Sequence, residues 1–223
     1  MLGIRIRKAS KLKLMSYSIQ IVLNVTLRGI TLVSKFVLLF FIARFLEPKD
    51  LGVYGLLASS IGYALFFVGF EFYMYSTREL IGSSPSEWGR MIRDQLVFYS
   101  MTYAISLAFI VVVFKKEWLP WAFFWWFLIL LILEHLAQEL NRLLIIKSEQ
   151  LFASIVLFFR SGFWCLVVVS YIGFVPEHRS VKVILFAWVI GGLLACLVGL
   201  IKLPLFKAKH FFAPIDWQWI KKG

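Results

Sequence analysis

Six long apolar segments dominate the sequence and constrain its fold more than any other feature. They lie at about residues 17–46, 51–75, 95–114, 119–141, 151–173 and 181–203. A helix of about 20 mostly apolar residues is long enough to cross the hydrocarbon core of a bilayer. Because backbone polar groups in lipid have to be satisfied within the chain, such segments favour the helical form. The sequence therefore predicts an all-α integral membrane protein with six transmembrane helices.

The composition argues against a water-soluble protein. Of the 223 residues, 61% are hydrophobic and 16% are charged, whereas soluble domains carry about 25% charged residues. A soluble enzyme, a disordered tail and a disulfide scaffold all fit these figures poorly. No phosphate-binding loop and no nucleophile with a nearby base occur, so we predict no enzymatic activity. Cys165 and Cys196 lie inside apolar runs, and no ligand spacing predicts a metal or cofactor.

The Lys and Arg residues indicate how the chain lies in the membrane. In a soluble protein the net charge of +12 would suggest nucleic acid. These cations lie mostly between apolar runs, however, and we expect no nucleic-acid partner. Fifteen fall in loops on the side of both termini and six on the other side, so both termini are predicted to be cytoplasmic. The chain divides into a basic interfacial segment at 1–16, a transmembrane lobe at 17–203 and a cytoplasmic tail at 204–223.

The first apolar segment carries a polar stripe. Its members follow steps of 4, 4, 3 and 4 residues and therefore share one helix face: Gln20, Asn24, Arg28, Thr31 and Lys35. One interpretation is a cationic wall of an internal cavity. The other is that Arg28 and Lys35 extend towards the two membrane surfaces. The cavity is favoured because such extension does not explain the uncharged polar residues on the same face.

Arg160 lies near the middle of the fifth segment, where an ionisable side chain is costly and usually faces a cavity or a partner. We predict a cationic substrate-binding cavity formed by this residue and four members of the stripe: Arg28, Lys35, Asn24 and Thr31. The alternative for Arg160 is a structural ion pair with an acid on another helix.

Acidic residues lie towards the cytoplasmic ends of their segments. Glu71 and Arg78 are seven residues apart and would share a face of one continuous helix. Glu139 and Arg142 are three apart, which is close enough to pair. We expect Glu71, Arg78 and Glu134 to serve as charge partners or as an inner gate rather than as proton carriers.

Other polar and small residues predict contacts between helices. For His135 a structural hydrogen bond is favoured over a proton-transfer role. Polar side chains on one face of the third segment suit either sugars or interhelical hydrogen bonds, and the second is favoured: Gln95, Tyr99, Thr102, Tyr103 and Ser106. Small residues at steps of four predict that another helix packs closely on the sixth: Ala187, Gly191, Ala195 and Gly199.

Three short motifs resemble a known family. The segment at 43–57, ARFLEPKDLGVYGLL, resembles the first outer turn of polysaccharide flippases, with Glu47 in place of the Gly often found before the Pro. The segment at 76–80, STREL, resembles the Arg-Glu that closes their second helix. The segment at 216–223, DWQWIKKG, resembles the lead into their seventh helix. The family is the Wzx-type O-antigen and capsular polysaccharide flippases of the multidrug/oligosaccharidyl-lipid/polysaccharide exporter superfamily.

This resemblance implies two six-helix lobes around a central cavity, of which the chain supplies the N-terminal lobe and lacks the C-terminal one. It implies flipping of a polyprenyl-diphosphate-linked oligosaccharide across the bacterial inner membrane by alternating access, during synthesis of O-antigen, lipopolysaccharide or capsule. The implied partners are this lipid-linked oligosaccharide, membrane lipids, a glycan polymerase and glycosyltransferases. No cofactor is expected, and the residues do not distinguish a proton from a sodium ion as the coupling ion.

Two other functions stay open from the residues. A multidrug or cation exporter of the same superfamily would carry acids deep in its cavity, whereas this chain has three deep cations and shallower acids. A non-transporting scaffold subunit would use its polar stripe for packing against other helices.

Overall fold

The computed structural model describes the backbone of residues 2–203 and 214–223, and the side chains of 18–203 and 214–223. Within these residues the chain is helical and has no strand. The helices are α1 (Leu2–Phe45), α2 (Pro48–Gly69), α3 (Phe72–Gly82), α4 (Trp88–Lys115), α5 (Phe124–Ile146), α6 (Gln150–Phe158), α7 (Trp164–Phe174), α8 (Val181–Lys202) and α9 (Trp217–Lys222). A π-helical segment, Phe159–Phe163, joins α6 to α7, and short 3₁₀ turns lie at Trp121–Phe123 and Pro176–His178.

The prediction of an all-α membrane protein is confirmed. Six helical stretches of the described chain are long and apolar enough to cross a bilayer: Ser18–Phe45, Pro48–Gly69, Trp88–Lys115, Trp121–Ile146, Gln150–Phe174 and Val181–Lys202. They coincide with the six predicted segments to within a few residues, except at two ends.

The two exceptions are the end of the second segment and the start of the third. The second was predicted to reach residue 75, but α2 ends at Gly69 because Phe70 and Glu71 adopt left-handed backbone angles, with φ of 45° and 54°. A left-handed residue cannot continue a right-handed helix. The third was predicted to begin at 95, whereas α4 begins at Trp88.

The ends of the chain are described only in part. The predicted interfacial segment at 1–16 is continuous in backbone with α1, and its side chains lie outside the described residues. In the predicted tail, 204–213 also lies outside them. The last turn of the chain, α9, packs on α3 and α4, where the Trp219 ring lies 5.3 Å from the ring of Phe72.

The bundle is built around α5 and α8, which pack on each other along most of their length. The α6, π-helical and α7 segments pack between them and α1. The predicted close approach on α8 is present. A methyl group built on Gly191 would lie 2.8 Å from the Phe159 carbonyl oxygen, and one on Gly199 would lie 2.8 Å from Leu140 Cβ. Ala195 is fully buried.

Candidate functional site

A polar cleft of about 360 Å³ lies between α2, α3, α5 and the π-helical segment. Its polar lining comes from Glu71, Tyr73, His135, Gln138, Arg142 and Arg160. The cleft begins where α2 ends and reaches Arg160, which lies ten residues, or about 15 Å of helix, from the start of α6 at Gln150. It therefore extends from one end of the bundle to about the middle of the spans.

The deepest charged residue of the cleft, Arg160, forms an ion pair with Glu134 on α5. Arg160 Nε donates to Glu134 Oε2 at 2.6 Å, and Trp188 Nε1 donates to Glu134 Oε1 at 2.6 Å. Both carboxylate oxygens are thus occupied, while no hydrogen bond among the described residues engages the Nη atoms of Arg160. Arg160 consequently combines the two roles that the sequence left open, because it is paired with an acid on another helix and also lines a cleft.

The backbone around Arg160 is unusual. The residue lies within the π-helical segment, and its carbonyl oxygen accepts a hydrogen bond from Trp164 Nε1 at 2.9 Å. A π-helical turn inserts an extra residue and rotates the side chains that follow it, and such turns are frequent at functional sites. Here it allows Arg160 to turn towards α5 and the cleft while Gly162 packs against Thr31 of α1.

A second ion pair lies nearer the mouth of the cleft. Arg142 pairs with Glu139, as their spacing predicted, and its guanidinium lies 3.5 Å from the centroid of the Tyr73 ring. Gln95 Nε2 donates to Glu139 Oε2 at 3.0 Å and to the Tyr99 hydroxyl at 2.6 Å. These contacts fix both members of the pair, so that Arg142 is presented at the mouth by α5.

His135 lies between the two ion pairs. Its Nδ1 is 3.2 Å from the Tyr103 hydroxyl, which is the kind of structural hydrogen bond that was favoured for it. Its Nε2 is buried, lies 3.9 Å from Glu139 Oε1 and has no hydrogen-bond partner among the described residues. This nitrogen is therefore a buried polar atom without a hydrogen-bond partner beside the cleft.

The predicted polar stripe of α1 does not face this cleft. Arg28 and Asn24 line a separate cleft of about 280 Å³ beside Ile145 and Gln150. Thr31 is buried and donates to the Leu27 carbonyl at 2.7 Å. The structure therefore divides the residues that were predicted to share one cavity.

Two further members of the predicted site lie apart. Lys35 is exposed on α1 and lines neither cleft. Glu71 lines the cleft, whereas Arg78 is exposed on α3 outside it, and no ion pair of the described residues joins them. Glu71 has left-handed backbone angles and precedes the first residue of α3, so it is not part of the helix that carries Arg78.

Sequence reasoning gave Arg142 and His135 structural contacts rather than places in a binding site, and it missed three further residues of the cleft region. Gln138 and Tyr73 line it, and Trp188 holds Glu134 from α8. The spacing of Gln138 from His135, three residues on one helix, could have indicated a shared face. Nothing in the sequence indicates the contact between Trp188 and Glu134, because it depends on how α8 packs on α5.

Comparison with protein-family models, with curated proteins and with solved structures finds no match for this chain. The resemblance to polysaccharide flippases therefore rests on the three short motifs, and the functional argument rests on the geometry of the cleft.

Proposed function

We propose that the chain is one lobe of a flippase that moves a polyprenyl-diphosphate-linked oligosaccharide across the bacterial inner membrane, for O-antigen, capsule or a related surface polysaccharide. The observation that carries the proposal is the polar cleft, in which Arg142 and Arg160 are presented by neighbouring helices and Arg160 reaches the middle of a span.

The chemistry of the cleft suits a diphosphate. A diphosphate has to enter a region of low dielectric, where fixed cations lower the cost of its charge. Arginine binds phosphate oxygens through two parallel hydrogen bonds. Glu134 accepts a hydrogen bond only from Nε of Arg160, so the N–H groups of the two Nη atoms can donate to a phosphate.

The paired acids also have a physical role. An unpaired arginine at bilayer depth costs about 2.5–3.5 kcal/mol on insertion scales. Glu134 offsets this cost for Arg160 near the middle of its span, and Glu139 pairs with Arg142 nearer the mouth of the cleft. A paired arginine attracts an anion less strongly than an isolated one, which favours release of the cargo after it has crossed.

The position of the cleft suits alternating access. The cleft occupies the half of the bundle next to α3, while the opposite half is closed by a packed apolar core that includes Leu57, Phe114 and Leu131. A transporter that rocks between two lobes requires a site near the midplane that is reached from one side at a time. One polar cleft with a closed far end matches one such state.

One observation favours a second candidate, a cation exporter. Glu71 lines the cleft and forms no ion pair among the described residues. This acid would attract a cationic compound to the mouth, but the two arginines behind it would oppose deeper entry.

The test is binding of undecaprenyl diphosphate to the purified chain in phosphatidylethanolamine and phosphatidylglycerol nanodiscs, measured by native mass spectrometry. We expect Arg142→Ala to weaken binding by about tenfold or more, since a hydrogen bond to a charged group is worth about 1.5–3 kcal/mol. The double variant Arg160→Ala with Glu134→Gln should do the same without leaving a buried acid unpaired. Arg78→Ala, which lies outside the cleft, is the matched control.

The cellular counterpart uses a bacterium in which the gene is deleted. Lipid-linked oligosaccharide should accumulate on the cytoplasmic leaflet, and the wild-type gene should restore export, whereas Arg142→Ala should not. Equal binding of the diphosphate by all variants would refute the proposal. Binding of a cationic drug that depends on Glu71, with no binding of the diphosphate, would support the exporter instead.

A further inference from the structure

An apolar groove of about 520 Å³ runs along the lipid-facing surface between α2 and α4. Its main lining residues are Tyr63 and Phe67 on α2, Phe70 directly after α2, and Ile105, Ser106 and Phe109 on α4. Along α2 it extends from Ser60 to Phe70, which is about 15 Å at helical rise. Tyr63, Phe67, Phe70, Ile105 and Phe109 are exposed, whereas Ile110, Leu119 and Phe127, which also line the groove, are buried. The groove is therefore open to a chain that lies in the bilayer.

The groove and the polar cleft use different faces of α2. Leu65, Phe66 and Gly69 line the cleft, whereas Phe67 and Phe70 line the groove. At 3.6 residues per turn these two sets point to different sides of the helix. The α2 helix is therefore a wall with a polar space on one side and an apolar space on the other.

The residues that line the two spaces are neighbours in sequence where this wall ends. Phe70 lines the groove and the next residue, Glu71, lines the cleft. Both residues have left-handed backbone angles, so the chain turns sharply at this point and α2 stops. A molecule with a polar head in the cleft and an apolar tail in the groove would pass around this turn, because α2 separates the two spaces along its length.

We propose that the groove binds the polyprenyl tail of the cargo next to its diphosphate, with the Phe70–Glu71 turn between the head and the tail. This inference rests on the proposed function and assigns a site to the part of the cargo that would otherwise remain in bulk lipid. The aromatic side chains of the groove offer broad apolar contact to a methyl-branched chain. Because Phe70 lines the groove and Glu71 lines the cleft, a lipid with a single tail attached to an anionic head fits this arrangement, with its tail in the groove and its head in the cleft.

The groove is closed along one edge by a fixed contact. Thr102 Oγ1 on α4 donates to the Val68 carbonyl on α2 at 2.7 Å. The rings of Phe67 and Phe109 lie 6.5 Å apart between the same helices. These contacts hold α2 against α4, so that the groove has a defined shape in the absence of a ligand.

The experiment fills the groove and compares a long-tailed ligand with a short one. Ser106→Phe places a ring inside the groove, and Ala108→Phe places the same ring on an exposed position of α4 that does not line it. Undecaprenyl diphosphate is measured in nanodiscs of phosphatidylethanolamine and phosphatidylglycerol by native mass spectrometry. Dimethylallyl diphosphate, which has a single isoprene unit, is measured on the same samples by calorimetry.

We expect Ser106→Phe to weaken binding of undecaprenyl diphosphate about tenfold and to change that of dimethylallyl diphosphate less than twofold. Ala108→Phe should change neither. Ser60→Phe fills the groove from α2 and should behave like Ser106→Phe. The test can therefore be read from either variant if the other one misfolds.

The failures of the two proposals are distinguishable. If both groove variants bind the long ligand as well as wild type does, ordinary phospholipid fills the groove and the inference is wrong, while the cleft is unaffected. If the groove variants lose both ligands equally, the assignment to the tail is also overturned. If the wild-type chain binds neither diphosphate, the proposed function itself fails.

Discussion

At the scale of single residues, Glu134 is the acceptor that organises the deep end of the cleft. It lies between Arg160 on the π-helical segment and Trp188 on α8, and each of these donates to a different carboxylate oxygen. Because Trp188 fixes the carboxylate, it also fixes the direction in which the remaining donors of Arg160 point. Under the proposed function Trp188 would be a positioning residue, which acts on a ligand through Glu134 and Arg160.

This role predicts the effect of removing one N–H group. Trp188→Phe deletes the donor to Glu134 but keeps an aromatic ring for the stack on Trp164, whose ring centroid is 5.5 Å away. We expect binding of undecaprenyl diphosphate in nanodiscs to weaken about fivefold, which corresponds to one hydrogen bond of about 1 kcal/mol. The protein should still fold, with a free energy of unfolding lower by about 1–3 kcal/mol, because the buried Oε1 of Glu134 loses its donor.

The matched control is Trp125→Phe, since Trp125 is exposed far from the cleft at the other end of α5. A purely structural Trp188 would lower the thermal stability of the Phe variant without a specific loss of affinity. That result would show that Trp188 does not position Arg160 for a ligand.

Sequence reasoning located the buried charges better than it located their partners. The depth of Arg160 follows from counting residues along an apolar segment, and the pairing of Glu139 with Arg142 follows from their spacing on one helix. The pairing of Arg160 with Glu134 does not follow, because it depends on which helices are neighbours. The π-helical turn adds to the difficulty, since it rotates Arg160 relative to a regular helix.

At the scale of helices, the span positions were predictable except at the end of α2 and the start of α4. Apolar length fixes a span to within a few residues, and steps of four small residues indicated the close face of α8. The end of α2 had no such signal, because Phe70 and Glu71 are neither Gly nor Pro. Left-handed angles cost such residues about 1–3 kcal/mol each, so the surrounding packing has to impose this turn.

The close face of α8 gives a prediction about stability. A methyl group at Gly191 would meet the Phe159 carbonyl oxygen at 2.8 Å and the ring of Trp164 at 2.4 Å. Because one of these contacts is backbone, it cannot be relieved by a side-chain rotation. We expect Gly191→Ala to destabilise the protein by about 1–3 kcal/mol, as overpacking does, measured by thermal unfolding in detergent.

The control is Gly52→Ala in α2, where no atom lies within 4 Å of the added methyl group. Alanine is favoured over glycine inside a helix by about 1 kcal/mol, so this variant should be unchanged or more stable. Equal stability of both variants would show that α8 and the π-helical segment separate easily at Gly191.

At the scale of the whole molecule, the direction of the cleft and the distribution of charge have to agree if the cargo is loaded from the cytoplasm. The cleft opens at the end of the bundle where α2 ends, α3 lies and α9 packs. The sequence predicts fifteen of the cations for this side, and it therefore predicts that the open end faces the cytoplasm. In that orientation a lipid diphosphate made in the cytoplasm would meet the open end first.

This agreement depends on the orientation of the chain, which cysteine labelling measures directly. Cys165 and Cys196 are buried, so the wild-type chain gives a low background with a membrane-impermeant maleimide. Ser84→Cys, in the exposed turn before α4, should be labelled only after the cells are permeabilised. Glu117→Cys, exposed after α4, should be labelled in intact cells. The opposite pattern would place the mouth of the cleft outside the cell, where a flippase cannot load its cargo.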